Sequence, residues 1–234
     1  MKLEASDVAE LVSLGFSTDW PGYTPEVVES PGGNSEWDTE KRYFHISPKY
    51  LDKYQNTLGS RLNVLPEGKG FEIEEIVDRR STFFRKIHEE AWKHSRDVAL
   101  QLGYPSEFWP AKDRGALRVL EYPPRVGGAK HTDPNLFTLS LYRNDTSLFW
   151  HGPRETKGMK ERAEELSPGI HFGEMTEMLF PWVTADQHGV HECGHSQFSV
   201  VYFAIPKWEA VLPGGATVKE FLDERLYKRG RRPA

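Results

Sequence analysis

One cysteine, Cys193, is all the sulfhydryl that 234 residues contain. No internal disulfide can form, so packing must hold the fold, and a reducing compartment suits the chain. Long apolar runs are missing as well, so no segment reads as a membrane-crossing helix. The first residues, Met1-Lys2-Leu3-Glu4-Ala5-Ser6-Asp7, lack the apolar stretch of a secretory leader, and the expected location is the cytoplasm. Positive charge is not in excess: 30 Lys and Arg stand against 35 Asp and Glu. That balance excludes the basic footprint of a nucleic-acid binder. The single basic run, Lys228-Arg229-Gly230-Arg231-Arg232, reads as a solvated terminus. Internal repeats and low-complexity segments are absent too.

What is present suits one sizeable core, alone or with a helical extension. Seven Trp, nine Tyr and thirteen Phe suggest a core or pocket built on large rings. Asp7 to Leu14 has the apolar spacing of a short helix. Breakers follow at Pro21-Gly22, Pro25 and Pro31-Gly32-Gly33-Asn34, and residues 1–70 carry no legible chemistry. From Phe71 to Leu102 the apolar positions recur at helical intervals, with Ser81 a possible interruption and Gly103 and Pro105 a stop signal. After Ala116 the character changes. Short apolar runs cover Ala116 to Tyr122, Leu136 to Tyr142, Ser147 to Trp150, Met178 to Val183 and Phe198 to Ile205. Turn residues such as Pro123-Pro124, Gly127-Gly128, Asn144-Asp145 and Gly152-Pro153 separate them. That pattern predicts a mainly β fold, a jelly-roll or double-stranded β-helix core, preceded by helices and closed by a helix over Thr217 to Tyr227. The expected division is an N-terminal, partly helical extension over 1–115 packing on a core over 116–234, as one structural unit.

The chemistry-bearing pattern is His131-Thr132-Asp133, followed more than fifty residues later by His188, His191 and His195. Two imidazoles and a carboxylate can cap one face of a ferrous ion and leave other positions open. In a regular strand His131 and Asp133 would share a face. The third ligand must come from another strand, and spacing alone leaves the three histidines as alternatives. Cys193 among them makes no zinc pattern, since four-ligand spacing is absent, and reads as a buried thiol.

The motif has company. Leu117-Arg118-Val119-Leu120-Glu121-Tyr122-Pro123-Pro124 precedes it, and Gly173-Glu174-Met175, His188-Gly189-Val190 and Ser199-Val200-Val201-Tyr202-Phe203 follow. Leu102-Gly103-Tyr104-Pro105 lies upstream and Thr217-Val218-Lys219-Glu220-Phe221-Leu222 near the end. In order and spacing these segments, over about residues 75 to 227, resemble the isopenicillin N synthase-like family of iron and 2-oxoglutarate dioxygenases. The resemblance implies a double-stranded β-helix, Fe(II) held by His131, Asp133 and His188, and 2-oxoglutarate and O2 as co-substrates. His188 is the distal ligand it picks, eleven positions before the strand serine Ser199. It implies oxidation of a C–H bond of a small molecule, coupled to oxidative decarboxylation of the 2-oxo acid. Tyr122, Arg118, Gln197 and Ser199 are the expected co-substrate residues, and Phe203 and Tyr142 the expected substrate residues.

One departure matters. The family carries Arg-x-Ser where this chain has Gln197-Phe198-Ser199, and glutamine brings no charge for a carboxylate. Arg118 alternates with Leu120 and Tyr122, so it should face inward with Tyr122 and could supply the charge. Arg143 is a second candidate, although a surface arginine at a strand end is its plainer reading. Thr138, Ser140 and Tyr142 form a polar stripe that could face the site. Two other functions stay open: an Fe(II) oxidase whose substrate ligates the iron without 2-oxoglutarate, and a jelly-roll binding protein without catalysis. Expected partners are a small-molecule substrate, with no nucleic acid and no membrane; nothing sets the oligomeric state.

Overall fold

Four of the five turn-separated runs after Ala116 form strands, but the larger sheet begins earlier in the chain. The computed structural model describes residues 1–16, 20–24, 41–62, 70–144, 148–151 and 158–228. The breakers at Pro25 and Pro31 to Asn34, Asp145, the Gly152-Pro153 turn and the basic tail from Arg229 lie outside the described residues. In chain order the elements are α1 (Ala5–Gly15), β1 (Tyr23–Thr24), β2 (Arg42–Ile46), α2 (Pro48–Leu62), α3 (Gly70–Gln101), β3 (Ala116–Tyr122), β4 (Gly128–His131), β5 (Phe137–Arg143), β6 (Leu148–His151), α4 (Met159–Leu166), β7 (His171–Phe172), α5 (Glu174–Leu179), β8 (Gln187–Val190), β9 (Gln197–Ala204) and α6 (Val218–Lys228). The predicted helices match α1, α3 and α6 closely. Ser81 does not interrupt α3; it is buried inside a continuous helix, which ends as Gly103 turns to φ +78°.

Two antiparallel sheets face each other in a jelly-roll arrangement. The larger has the order β1-β2-β3-β9-β5-β7 and the smaller β4-β8-β6. The larger sheet divides its faces by parity. Leu117 and Val119 of β3 and Val200, Tyr202 and Ala204 of β9 join Phe84, Ile87, Ala91 and Val98 of α3 in the main core. Residues of the other parity, Arg118, Leu120 and Tyr122 with Ser199, Val201 and Phe203, line a cavity on the opposite side. β2 obeys the same rule: Phe44 and Ile46 enter the core, while His45 lines the cavity.

The run Met178 to Val183 is a correction to the strand reading. Met178 and Leu179 end α5, and Phe180 to Val183 form a turn closed by Val183 N–H donating to Phe180 O at 2.8 Å. Tertiary contacts override the local apolar pattern, because the start of α5 is gripped by the loop after β4. Gly173, Glu174 and Met175 donate backbone N–H bonds to Leu136 O (2.7 Å), Asp133 O (2.8 Å) and Asn135 O (3.1 Å). A helix start has free N–H groups to give, whereas a strand there would have no partner for them.

Candidate metal centre and its cavity

β4 and β8 pair antiparallel with His131 directly opposite His188, and their rings lie 4.5 Å apart. Trp150 of β6 flanks His188 in register from the other side. Asp133 lies beyond the end of β4, so it does not reach the site by strand alternation. The grip of α5 on the 133–136 loop returns its carboxylate to the two imidazoles. Asp133 Oδ1 is 3.8 Å from His131 Nε2, and Oδ2 is 3.9 Å from His188 Nε2. Among the described residues these three form the one His/Cys/Asp/Glu group whose ligand atoms all lie within 4.8 Å of one another.

The donor chemistry fits a divalent metal. His131 Nδ1 lies 2.8 Å from Ala129 O and His188 Nδ1 3.1 Å from Asp186 O. Each carbonyl can only accept, so each Nδ1 carries the proton and each Nε2 keeps its lone pair toward the shared point. Thr138 Oγ1 donates to Asp133 Oδ2 at 2.6 Å and accepts from Asn135 Nδ2 at 2.8 Å, which fixes the carboxylate. Burial, reinforced by the charge of His188, pushes the His131 pKa down to about 3. Burial alone would raise the Asp133 pKa, but His188, His131 and the Thr138 bond outweigh it and hold the carboxyl below its ordinary value. The result is a neutral His131 imidazole beside an ionised Asp133 carboxylate at neutral pH, the form in which each can ligate a metal.

The cavity beside the triad measures about 320 Å³. Arg118, Tyr122, Ser199 and Phe203 all line it, as their alternation predicts. Gln197 does not line it: the side chain is buried and its amide donates to His191 O at 2.7 Å. Tyr142 is not among the lining residues either, and Arg143 is. The reason is a β-bulge. Ser140 pairs Val201, but Tyr142 pairs Val200 and Arg143 pairs Ser199, so the register shifts between them. One extra residue reverses the alternation. Tyr142 therefore packs against the core, and Arg143 turns inward beside Ser199. Of the alternative distal histidines, His191 and His195 are exposed loop residues. Cys193 is half-buried between them rather than buried, and its thiol donates to His195 O.

Lys41, His45 and His171 are among the cavity residues that escape the sequence reading. Lys41 and His45 lie in a region without a legible motif; only the pairing of β2 with β3 brings them in, His45 opposite Arg118. His171 packs edge-on to His188 at 4.7 Å, and burial, then the neighbouring His188, holds its pKa well below the ordinary range. Its signal was its place two residues before Gly173, in a two-residue strand too short to show alternation.

No family model matches the chain, and no curated protein matches it. Solved structures do. A protein assigned as an oxygenase from Shewanella oneidensis is similar at TM-score 0.51 and 18% identity, over 95% of this chain and 84% of that one. The dioxygenase for auxin oxidation 1 from Arabidopsis thaliana, solved with 2-oxoglutarate, is similar at TM-score 0.50 and 14% identity, over 89% and 81%. The dioxygenase for auxin oxidation in rice is similar at TM-score 0.51 and 14% identity, over 98% and 84%. At these identities the likeness is one of fold: two antiparallel sheets facing each other, with helices outside.

Proposed function

We propose that this protein is a non-haem Fe(II)-dependent oxygenase that uses 2-oxoglutarate and O2 to oxidise a C–H bond of a small molecule, and that it is of the isopenicillin N synthase-like kind. The observation that carries the reading is the His131, Asp133 and His188 set, with both imidazole tautomers fixed and a cavity on its open side. Structural metal sites are usually closed by four protein donors; three donors facing a cavity suit catalysis. Fe(II) bound there would supply oxygen activation coupled to decarboxylation of the 2-oxo acid.

The chain's own residues would hold, orient and shield. His131, Asp133 and His188 hold the ion, and Thr138 keeps the carboxylate aimed at it. For the distal carboxylate of 2-oxoglutarate we assign Ser199 and Arg143, adjacent across β9 and β5. A guanidinium and a hydroxyl on neighbouring strands suit a carboxylate. Arg143 thus takes the part that glutamine at position 197 leaves vacant. Tyr122 borders the same space from β3, and Phe203 borders the substrate. The extension over 1–115 and the core over 116–234 work as one unit in this reading, supported by β2, which completes the cavity wall.

The test is a titration of 2-oxoglutarate into the anaerobic Fe(II) protein. A saturable visible charge-transfer band is expected, absent in His131→Ala and weakened in Arg143→Met. Iron binding without a band at any concentration would overturn 2-oxoglutarate use. It would favour the second reading, an iron oxidase whose substrate ligates the metal, for which the uncharged Gln197 speaks.

A further inference from the structure

Arg118 differs from the other cations at the cavity. Its Nε donates to His45 Nε2 at 2.7 Å, and its guanidinium lies between the rings of Tyr43 (4.6 Å) and Phe203 (4.8 Å). Those two rings and the imidazole fix its plane. Burial, helped by the charge of Arg118, keeps the His45 pKa well below its ordinary value, so the imidazole is neutral and Nε2 accepts. Among the described residues no carboxylate forms an ion pair with Arg118. By contrast Arg114 pairs with Asp113 and Lys219 with Asp223.

We propose that the substrate of this site is an anionic small molecule with an apolar body, its carboxylate bound by Arg118 and its body lying against Phe203, Trp208, Leu222 and Leu226. The proposal rests on the oxygenase reading and names the substrate class of that same site. A half-buried guanidinium held by a neutral acceptor and two rings has its remaining N–H donors to give, and a planar carboxylate matches their fork. The two arginines stand on different strands and two register positions apart along β9, Arg118 opposite Val201 and Arg143 opposite Ser199. β3 and β5 flank β9 on opposite sides, so their backbones stand roughly 9–10 Å apart. A 2-oxo dicarboxylate that chelates the metal has one carboxylate left, and Arg143 with Ser199 takes it. Arg118 remains for a second anion. Beside it the wall is mainly apolar: Phe203 two residues along β9 from Val201, its partner in register, then Ile205, Trp208 and the α6 residues Leu222 and Leu226, with Arg114 and Lys219 over the Trp208 ring. Among the described residues that line the cavity, Asp223 pairs with Lys219, and Asp133 is directed at the metal point, where a bound cation would offset its charge.

The experiment is calorimetry on the anaerobic Fe(II) protein saturated with 2-oxoglutarate, so that the metal positions the probe could chelate are filled. Probes are matched acid and amide pairs: phenylacetate, 3-phenylpropionate, indole-3-propionate and hexanoate, each beside its primary amide. At least one acid is expected to bind tenfold or more tightly than its amide. That preference is lost in Arg118→Gln and largely restored in Arg118→Lys, with 2-oxoglutarate affinity within twofold of the native protein in both. Arg143→Met is expected to do the reverse, weakening 2-oxoglutarate and sparing the acid preference. Acids and amides binding alike, no acid binding at millimolar concentration, or Arg118→Gln weakening 2-oxoglutarate instead would each overturn the proposal. If the charge-transfer band is absent, the oxygenase reading fails separately. The same calorimetry on the iron-loaded protein then still reports whether Arg118 selects an anion.

Discussion

Thr138 ties Asp133 to Asn135 at the candidate metal centre. It is buried, donates to Asp133 Oδ2 and accepts from Asn135 Nδ2. Thr138→Val keeps the shape and removes the hydroxyl, leaving a carboxylate free to rotate and an amide without its acceptor. Loss of a partner that orients a metal ligand typically costs about 10- to 100-fold in affinity. Iron affinity, measured by competition with a chromophoric chelator, is expected to fall by that order in Thr138→Val. An unchanged affinity would mean that the α5 grip alone positions Asp133. Arg143 makes the complementary point about register. Its inward aim depends on the bulge that precedes it, so the residue type alone could not reveal its role.

Among the described residues, α5 is the shortest α-helix, and it abuts the candidate metal centre. It is six residues long, and its start is bound to the loop that carries Asp133. Gly173 caps it with ordinary negative φ, so the glycine is required by space rather than by conformation. A Cβ there would stand 2.2 Å from Asn135 O and 2.8 Å from Asp133 O, both backbone atoms that cannot swing aside. Gly173→Ala must therefore displace the 133–135 loop. The expected outcome is a drop in thermal midpoint together with loss of tight iron binding, read by a melting curve and by metal analysis after desalting. An alanine variant that retains iron stoichiometrically would show that the loop can give way without moving the carboxylate. The same packing explains why Met178 to Val183 deceives sequence analysis: its apolar residues read as a strand, but its chain direction is set by hydrogen bonds to residues forty positions earlier.

For the whole molecule, the larger sheet is a partition between a helix-backed apolar core and the cavity beside His131, Asp133 and His188. Several histidines are buried along it in neutral form. His88 of α3 has Nε2 3.0 Å from Gly115 O, and burial, partly offset by that bond, lowers its pKa from 6.5. His45 and His171 are shifted the same way by burial. The folded protein thus takes these protons less readily than the unfolded chain. Stability is fully present above about pH 6.5 and is lost as pH falls below it, with a slope of up to about 1.4 kcal/mol per pH unit for each group. Denaturant midpoints at about pH 7.5 and about pH 5.5 check this. The midpoint is expected to be lower at the acid value, and by less in His88→Gln. Equal midpoints would mean that the unfolded chain gains no proton advantage.

The sequence by itself determined the local facts: the helices α1, α3 and α6, the inward parity of Arg118, Tyr122, Ser199 and Phe203, and the residues able to hold a metal. Each follows from periodicity or from side-chain chemistry, which act over a few residues and are written in the order of the chain. The tertiary structure decided what depends on distant partners. It chose His188 over His191 and His195 for the triad, because strand pairing set His188 against His131. It turned Arg143 in and Tyr142 out, because a bulge is a property of two strands in register and not of one. It made His45 a wall of the cavity through β2, whose only signal is its pairing with β3. The glutamine at position 197, where the resemblance expects an arginine, was visible from the start; that Arg143 lines the cavity opposite Ser199 was not, because sheet register is set by topology rather than by sequence distance.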